Sequence, residues 1–416
     1  MFITYCLGAR ELNASCGLSF LQRIELMRIA FVTVEYPSEH ANYGGLATYV
    51  RRMAHLLRDA GHEVEVFLPG NAAESIEAEG IVLHRVDPLP YRGTLDRLIG
   101  AVLRLFASPS LSALRQWLRN ARALARAVAV REASAPFDLV QSADFTAPGL
   151  FVARRRGRIH AVRCSSAADL YDAADGKSSR TDRLRGRLER MAMRRADVAY
   201  APSRFLADHF RLRHHIDVRV VRPPAAATVA GVPDAGIALP ERYMIHFGQL
   251  TPRKGSQFLA EALPRVWALA PDLQMVWSGI CWHPEQIEAW RALWGARAAQ
   301  VLVTGPLDRV VLTSVLRGAE ASVLPSQVDN LPNTVIESLS SGIPVIGTRG
   351  ASIDELVDDG ATGRLIAYGD HDALARAMAE YWTDSASRPR GFIWPGRYRS
   401  DMTPAAALAN FLALAS

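Results

Sequence analysis

The sequence predicts an α/β protein with two doubly wound domains of parallel strands that face a ligand cleft. Its 416 residues are too many for one ordinary core and suit two domains of roughly 200 residues each. In both halves buried strands alternate with amphipathic helices, which is the order of a parallel sheet. A stretch rich in proline and alanine without periodicity, residues 221–240, separates the halves. Such paired sheets bind ligands at the carboxyl ends of their strands.

The first half opens with an apolar, β-branched strand over Ile29–Val34 and a glycine turn, Tyr43-Gly44-Gly45. A helix over Leu46–Asp59 and a strand over Glu63–Leu68 follow, because their apolar residues recur at helical and strand spacing respectively. Further strands are predicted at 138–140, 158–162 and 196–200, and the last of them leads into the helix APSRFLADHF.

The second half begins with a strand over Tyr243–Phe247 and runs to a helix at about Leu374–Trp382. Four tryptophans follow apolar spacing and are predicted to lie in its core: Trp277, Trp282, Trp290 and Trp294. The predicted organisation is a first domain over 27–222, a linker over 223–240, a second domain over 241–390, and a tail with a closing helix over 391–416.

Residues 1–26 show no clear period, and Met27 directly precedes a typical first strand. A wrongly assigned start codon explains this segment better than a secretory signal does. We therefore expect that deletion of residues 1–26 changes neither the melting temperature nor the activity. Thermal denaturation of the two proteins checks this, and a melting temperature several degrees lower after deletion would show that the segment packs.

Two carboxylates, Asp329 and Glu337, stand on either side of a predicted helix start. The N–H groups of Asn333, Thr334 and Val335 would point out of this helix, where the dipole favours a phosphate. An ordinary helix–strand pair whose acids face water explains the same pattern, and periodicity alone favours that alternative.

The acid pair, its turn and the following Gly-x-Pro-Val-Ile strand together resemble the signature of retaining glycosyltransferases of family 4. These enzymes have the GT-B fold, in which two Rossmann-like domains face a central cleft. The resemblance implies that Glu337 holds the ribose of a nucleotide-sugar and that Asp329, usually Glu in the family, contacts the transferred sugar. It also implies that the backbone amides of Asn330, Leu331 and Asn333 bind sugar hydroxyls and the diphosphate.

A second motif, Phe247 to Gly255, follows the first strand of the second half. Lys254 is unusual because arginine supplies almost all of the 48 basic residues, and a compact cation there can neutralise a departing diphosphate. An exposed surface turn is the alternative. The family has G-R-x-x-x-x-K-G here, and the resemblance implies that Lys254 grips the diphosphate. Gln249 replaces the family's arginine, which leaves Arg253 as the nearby guanidinium.

Three positions of the first half belong to the predicted acceptor side. The resemblance implies that Gly45 lets backbone N–H groups approach the donor phosphates and that Gly44 is a hinge beside the acceptor. The family carries a histidine after a strand of this domain, but Ser165 stands where it is expected. Asp144 ends another strand and is predicted either to orient the acceptor or to cap a helix. No acid–base residue is identified.

Arginines concentrate at 154–158 and over Ser179–Asp197. In the second segment Leu184, Leu188 and Met191 recur at helical spacing, so the sequence predicts a basic amphipathic helix. Such a helix can make peripheral contact with an anionic membrane, or it can simply be a solvated face in an arginine-rich chain. No aromatic platform or recognition motif accompanies the charge, so no nucleic acid is expected as a partner.

Composition fits a globular protein, with 49% hydrophobic and 22% charged residues and a net charge of +6. The four cysteines are scattered, which fits the reduced cytoplasm and no structural zinc. The expected location is therefore cytoplasmic or peripheral at the inner face of the membrane. No Asp-x-Asp motif stands at a suitable strand end, so we expect no metal and no other cofactor. Lys254, Arg253 and the helix start would do what a metal does elsewhere.

Together these motifs predict a retaining hexosyltransferase that moves a sugar from a nucleotide-diphosphate sugar to a glycan, lipid-linked or small-molecule acceptor. Cell-surface polysaccharide synthesis is the expected setting. Two alternatives stay open. A nucleotide-sugar epimerase of GT-B fold would turn over without an acceptor. A catalytically impaired binding subunit is compatible with Gln249, Asp329 and the missing histidine.

Overall fold

The computed structural model describes residues 26–37, 44–88, 109–176, 179–225, 236–389 and 400–415. Nearly all of the predicted 1–26 extension, Tyr43 of the glycine turn, ten residues of the predicted linker and residues 390–399 lie outside this description. The described residues form two sheets, one of eight strands and one of six, so the prediction of two doubly wound α/β units is confirmed.

The first sheet has the strand order β3-β4-β2-β1-β5-β6-β7-β8, and all neighbours are parallel except β3 and β4. Its strands are β1 (Arg28–Val32), β2 (Glu63–Pro69), β3 (Glu74–Ala78), β4 (Ile81–Val86), β5 (Leu139–Ala143), β6 (Ile159–Arg163), β7 (Val198–Ala201) and β8 (Arg219–Val220). The central strands are buried along nearly their whole length, as expected for a sheet with helices on both faces.

Five helices accompany this sheet within the described residues: α1 (Gly45–Asp59), α2 (Pro109–Ser134), α3 (Ala168–Ala174), α4 (Arg180–Arg195) and α5 (Arg204–His214). Helix α1 buries Val50, Met53 and Leu57, which are at most 1% exposed and recur at helical spacing. The antiparallel β3–β4 pair and the long helix α2 were not predicted, because the sequence around them has mixed polarity.

The second sheet has the order β11-β10-β9-β12-β13-β14 and is parallel throughout. Its strands are β9 (Met244–Gln249), β10 (Met275–Ile280), β11 (Val301–Val303), β12 (Ser322–Leu324), β13 (Val345–Thr348) and β14 (Gly363–Ile366). The α-helices described around it are α6 (Ser256–Leu269), α7 (Pro284–Trp294), α8 (Arg309–Gly318), α9 (Asn333–Ser340) and α10 (His371–Thr383). The strand order reverses between β9 and β12, which is where such sheets bind ligands.

The predicted tryptophan core is right for three residues and wrong for one. Trp277, Trp290 and Trp294 are at most 4% exposed, and Trp277 packs edge to face against both of the others. Trp282, in contrast, is 55% exposed, because it lies in the turn between β10 and α7 rather than on the buried face of the helix. The apolar spacing therefore gave a wrong prediction for Trp282, because this residue precedes the helix to which the spacing applies.

The last helix, α11 (Pro404–Leu412), packs on the first sheet although it follows the second sheet in sequence. Its Phe411 is fully buried and stacks on Phe31 of β1, with ring centroids 5.9 Å apart. Met402, just before this helix, lies in the core of the second sheet. The end of the chain thus ties the two sheets together. None of the described helices is both long and apolar enough to pass through a lipid bilayer.

Candidate functional site

The turn that carries Lys254 follows β9 and is fixed by tight backbone contacts. Thr251 caps it by accepting a hydrogen bond from the Lys254 N–H. Gly255 has φ +83°, and a Cβ there would lie 2.0 Å from the carbonyl oxygen of Pro325. Only glycine tolerates both this left-handed conformation and this close approach. The turn after β9 is therefore pressed against the loop after β12, which carries Asp329.

Lys254 and Asp329 meet at this point. The Nζ of Lys254 lies 2.6 Å from Oδ2 of Asp329, and Ser326 Oγ donates to the same oxygen at 3.3 Å. The Asp329 side chain is only 7% exposed, whereas that of Lys254 is 24% exposed. The structure thus brings together the two residues predicted to be catalytic, with the cation on the more open side.

The loop between Asp329 and α9 uses some of its backbone donors inside the protein. The Asn330 N–H donates to Asp329 Oδ1 at 2.9 Å, and the Leu331 N–H donates to Ser352 Oγ at 2.7 Å. Leu331 has φ +50°, an unusual conformation for a leucine. Two of the amides that the resemblance assigns to the sugar and diphosphate therefore already have partners.

Helix α9 begins at Asn333, and Pro332 precedes it as the N-cap residue. The N–H groups of Val335 and Ile336 both donate to the Pro332 carbonyl, at 3.1 and 3.2 Å. Val335 is thus not a free donor, contrary to the prediction. The N–H groups of Asn333 and Thr334 make no hydrogen bond to the described part of the chain. These two donors thus remain at the start of the helix, where its dipole favours an anion.

Helix α1 of the first domain starts directly opposite α9. A Cβ on Gly45 would lie 3.4 Å from Nδ2 of Asn333, so the two helix starts nearly touch across the cleft. Glu35 caps α1, since its carboxylate accepts from the Ala47 N–H at 3.2 Å and the Gly44 N–H at 3.4 Å. Sequence reasoning missed Glu35, although an acid between a first strand and a glycine pair signals such a cap.

Glu337 of α9 is partly buried, with 23% of its side chain exposed, and it faces the first domain. Arg52 of α1 approaches its Oε1 to 3.5 Å and donates to Asn333 Oδ1 at 3.4 Å. Burial raises the pKa of Glu337, while the charges of Arg52 and Arg309 oppose that rise. The predicted ribose-binding acid thus lies in a cationic corner. Arg52 was missed because it is 285 residues away in sequence.

Asp144 is completely buried and holds together the two turns that carry the predicted acceptor side. Its carboxylate accepts from the N–H groups of Phe145, Ser165 and Ser166 at 2.8, 2.8 and 3.1 Å. Burial nevertheless raises its pKa, and burial followed by the charge of Asp144 raises the pKa of Glu189 nearby. Asp144 is not a helix cap in the structure, because these three donors belong to the turns after β5 and β6.

Ser165 and Asn330 join the two sides of the cleft. Asn330 Nδ2 donates to the Ser165 carbonyl at 2.9 Å, and its Oδ1 accepts from Ser203 Oγ at 2.7 Å. The Ser165 hydroxyl accepts from Arg163 at 2.9 Å. The Asn330 side chain therefore fixes the loop after β12 against the first domain.

The Arg253 side chain contacts the first domain. Its Nε lies 3.3 Å from Asp175 Oδ1, and its guanidinium carbon lies 4.7 Å from the centre of the Tyr171 ring. Both partners belong to the end of α3 in the first domain. These contacts occupy Arg253 at the domain boundary and give no support to its predicted role at the diphosphate.

Two family models match this chain. The model described as "Glycosyl transferase 4-like domain" matches residues 44–225, and "Glycosyl transferases group 1" matches residues 241–384. The first match therefore covers the first sheet except β1, and the second covers the whole second sheet. A curated relative, the phosphatidyl-myo-inositol mannosyltransferase of Mycolicibacterium smegmatis, is 23% identical over 83% of this chain and 83% of its own length.

Solved structures support the same fold. Sucrose-phosphate synthase of Thermosynechococcus elongatus has a TM-score of 0.70 and 19% identity, and the match covers 94% of this chain and 96% of the other. HepE of Anabaena, solved in complex with UDP and glucose, has a TM-score of 0.64 and 16% identity, and the match covers 93% of this chain and 98% of HepE. With both halves matched in sequence and the whole matched in fold, this chain belongs to the group 1 glycosyltransferases, family 4, of GT-B fold.

Proposed function

We propose that this glycosyltransferase moves a sugar from a nucleoside-diphosphate sugar to a hydroxyl acceptor with retention of anomeric configuration. The observation that carries the proposal is the Lys254–Asp329 pair beside the start of α9, with Glu337 one helical turn further on. A cation, two backbone donors and an acid in this order match the diphosphate and ribose of such a donor.

In the proposed reaction Glu337 accepts hydrogen bonds from the ribose hydroxyls. Lys254 and the N–H groups of Asn333 and Thr334 stabilise the charge that grows on the diphosphate. The bond between the anomeric carbon and the phosphate oxygen breaks, and the acceptor oxygen bonds to that carbon on the same face. The acceptor proton passes to a leaving phosphate oxygen. Because these groups neutralise the leaving charge, the proposal needs no metal at the reacting centre.

The substrate class follows from the relatives. One is named as a mannosyltransferase acting on phosphatidyl-myo-inositol, and a structural neighbour holds UDP with glucose. We therefore propose a hexosyl donor and an acceptor that is a glycan, a polyol or a lipid-linked form of either. Mannosyl and glucosyl donors with inositol-containing acceptors are the first pairs to test.

The experiment has two stages. A thermal-shift screen of UDP, GDP and ADP is expected to single out one nucleotide, because a ligand that binds only the folded state stabilises it. Release of that nucleotide from its hexosyl donors is then measured with and without acceptors, and NMR gives the anomeric configuration of the product. An inverted product, or turnover that needs no acceptor, would overturn the proposal.

The proposal includes contact with an anionic membrane through one face of α4. Arg180, Arg183, Arg187 and Arg194 are exposed at helical spacing, and Met191 among them is 47% exposed. A stripe of cations around an exposed apolar side chain suits a lipid surface with negative headgroups.

Vesicle binding tests this contact. Sedimentation is expected with vesicles that contain anionic phospholipid and to fall strongly in the double variant Arg183→Glu/Arg187→Glu. Arg265→Glu/Arg291→Glu is the control, because it makes the same change in charge on helices of the second domain. Equal losses in both variants would mean that net charge alone, and not this face, governs binding.

A further inference from the structure

Three side chains with metal-binding atoms meet on the first domain, between α3 and α5. Asp169 lies in the first turn of α3, and His209 and His214 lie on α5. Nε2 of His209 is 3.3 Å from Asp169 Oδ1, and Nε2 of His214 is 3.0 Å from Asp169 Oδ2. One ligand atom from each of the three lies within 4.8 Å of those from the other two.

These distances suit a small divalent ion. Zn²⁺ binds imidazole nitrogen and carboxylate oxygen at about 2.0–2.2 Å, so its tetrahedral ligands stand about 3.3–3.6 Å apart. The observed Asp–His separations are close to that spacing before any side chain moves. Two imidazoles and one carboxylate are also a donor set that favours zinc over magnesium or calcium.

The cluster is also accessible enough to load. The Asp169 side chain is 36% exposed, while those of His209 and His214 are 19% and 13% exposed. An ion could therefore enter from the Asp169 side and keep a water as its fourth ligand. The surrounding helices already hold both imidazoles in place, so binding would order little additional structure.

We propose that Asp169, His209 and His214 form a site for a divalent transition-metal ion, with Zn²⁺ as the best fit, that ties α3 to α5. Both helices reach the domain boundary. Helix α3 carries Tyr171, which contacts Arg253 of the second domain. The start of α5 donates N–H groups to Glu355, also of the second domain. A bound ion would thus stabilise this wall of the cleft.

Sequence spacing could not reveal this site. Asp169 is 40 residues from His209 and 45 from His214, so no metal motif appears along the chain. The scattered cysteines led to the expectation of no structural zinc. The missing Asp-x-Asp motif extended that expectation to any metal, so the proposed site departs from it. A histidine–carboxylate site that only folding assembles leaves neither signal in the sequence.

Calorimetric titration of the full chain, first stripped with a chelator, tests the proposal with Zn²⁺. The expected result is one ion per chain. Loss of a direct ligand should weaken binding at least about 100-fold in His209→Gln and His214→Gln, since loss of an outer-shell partner alone costs about 10–100-fold. Co²⁺ should give the visible absorption of a low-coordinate site in the wild type and not in the variants.

His215→Asn is the matched control, because His215 is the exposed neighbour in a left-handed conformation that asparagine tolerates. It should bind the ion as tightly as the wild type. Asp169→Asn keeps the shape of the third ligand and covers the case in which a histidine variant does not fold. Absence of stoichiometric binding, or unchanged affinity in folded ligand variants, would overturn the proposal.

Discussion

Lys254→Ala is expected to lower kcat about 10²–10³-fold while the donor still binds, the loss typical of one preorganised electrostatic group. The ammonium is partly exposed and lies beside the loop that leads into α9, where the proposed donor would place its leaving diphosphate. Its positive charge therefore matters more in the transition state than in the ground state. Steady-state kinetics with a calorimetric donor affinity measures the two effects separately.

Three variants separate this role from simple packing. Lys254→Arg should recover only part of the rate, because a planar guanidinium does not reproduce a compact ammonium. Asp329→Asn removes the buried carboxylate charge that Lys254→Ala would leave without its cation. Arg253→Ala is the control within the same turn, and its contacts with Asp175 and Tyr171 predict a smaller loss. Near-normal turnover in Lys254→Ala would mean that the turn has no catalytic part.

The sequence predicted half of the described strands, namely those whose signal is local. Buried β-branched runs followed by glycine turns mark β1, β9 and β13 within a few residues of their ends. The loop after β12 and the turn after β9 were found for the same reason. Both follow a strand at the point where the sheet order reverses, so their residues meet at one edge.

What the sequence could not predict are the contacts across the cleft. Asn330 reaches Ser165 over 165 residues, and Glu355 caps α5 over about 150 residues. A polar side chain in a loop looks the same in sequence whether it binds a substrate or another loop. The resemblance assigned the Asn330 backbone to the sugar. In the structure the Asn330 side chain makes hydrogen bonds that connect the two domains.

These contacts between the domains affect how a nucleotide-sugar would enter the cleft. Asn330 and Glu355 connect the two domains, and so do the Arg52 contacts with Asn333 and Glu337. The Arg52 contacts are long, 3.4 and 3.5 Å, and therefore weak. In the proposed complex, a ribose that bonds to Glu337 would have to displace Arg52 or share the acid with it.

Glu337→Ala is accordingly expected to weaken donor binding about 30–150-fold, equivalent to about 2–3 kcal/mol for a lost charged hydrogen-bonding partner. The fold should persist, because within the described residues the Glu337 side chain makes its one hydrogen bond to Arg52, and that bond is long, 3.5 Å. Calorimetry with the nucleotide selected by the thermal-shift screen measures the affinity, and the melting curve checks the fold.

The variant Arg52→Ala distinguishes two explanations for a weaker donor affinity in Glu337→Ala. If Glu337 holds the ribose, removal of Arg52 frees the acid and leaves donor affinity equal or higher. If Glu337 acts only through the ion pair that draws the domains together, both variants should weaken binding to the same extent. Glu337→Gln adds a third reading, since it keeps the length and one acceptor but loses the charge, and should fall between the wild type and alanine. Unchanged affinity in Glu337→Ala for every nucleotide tried would remove the ribose assignment and leave the acid as a partner of Arg52 alone.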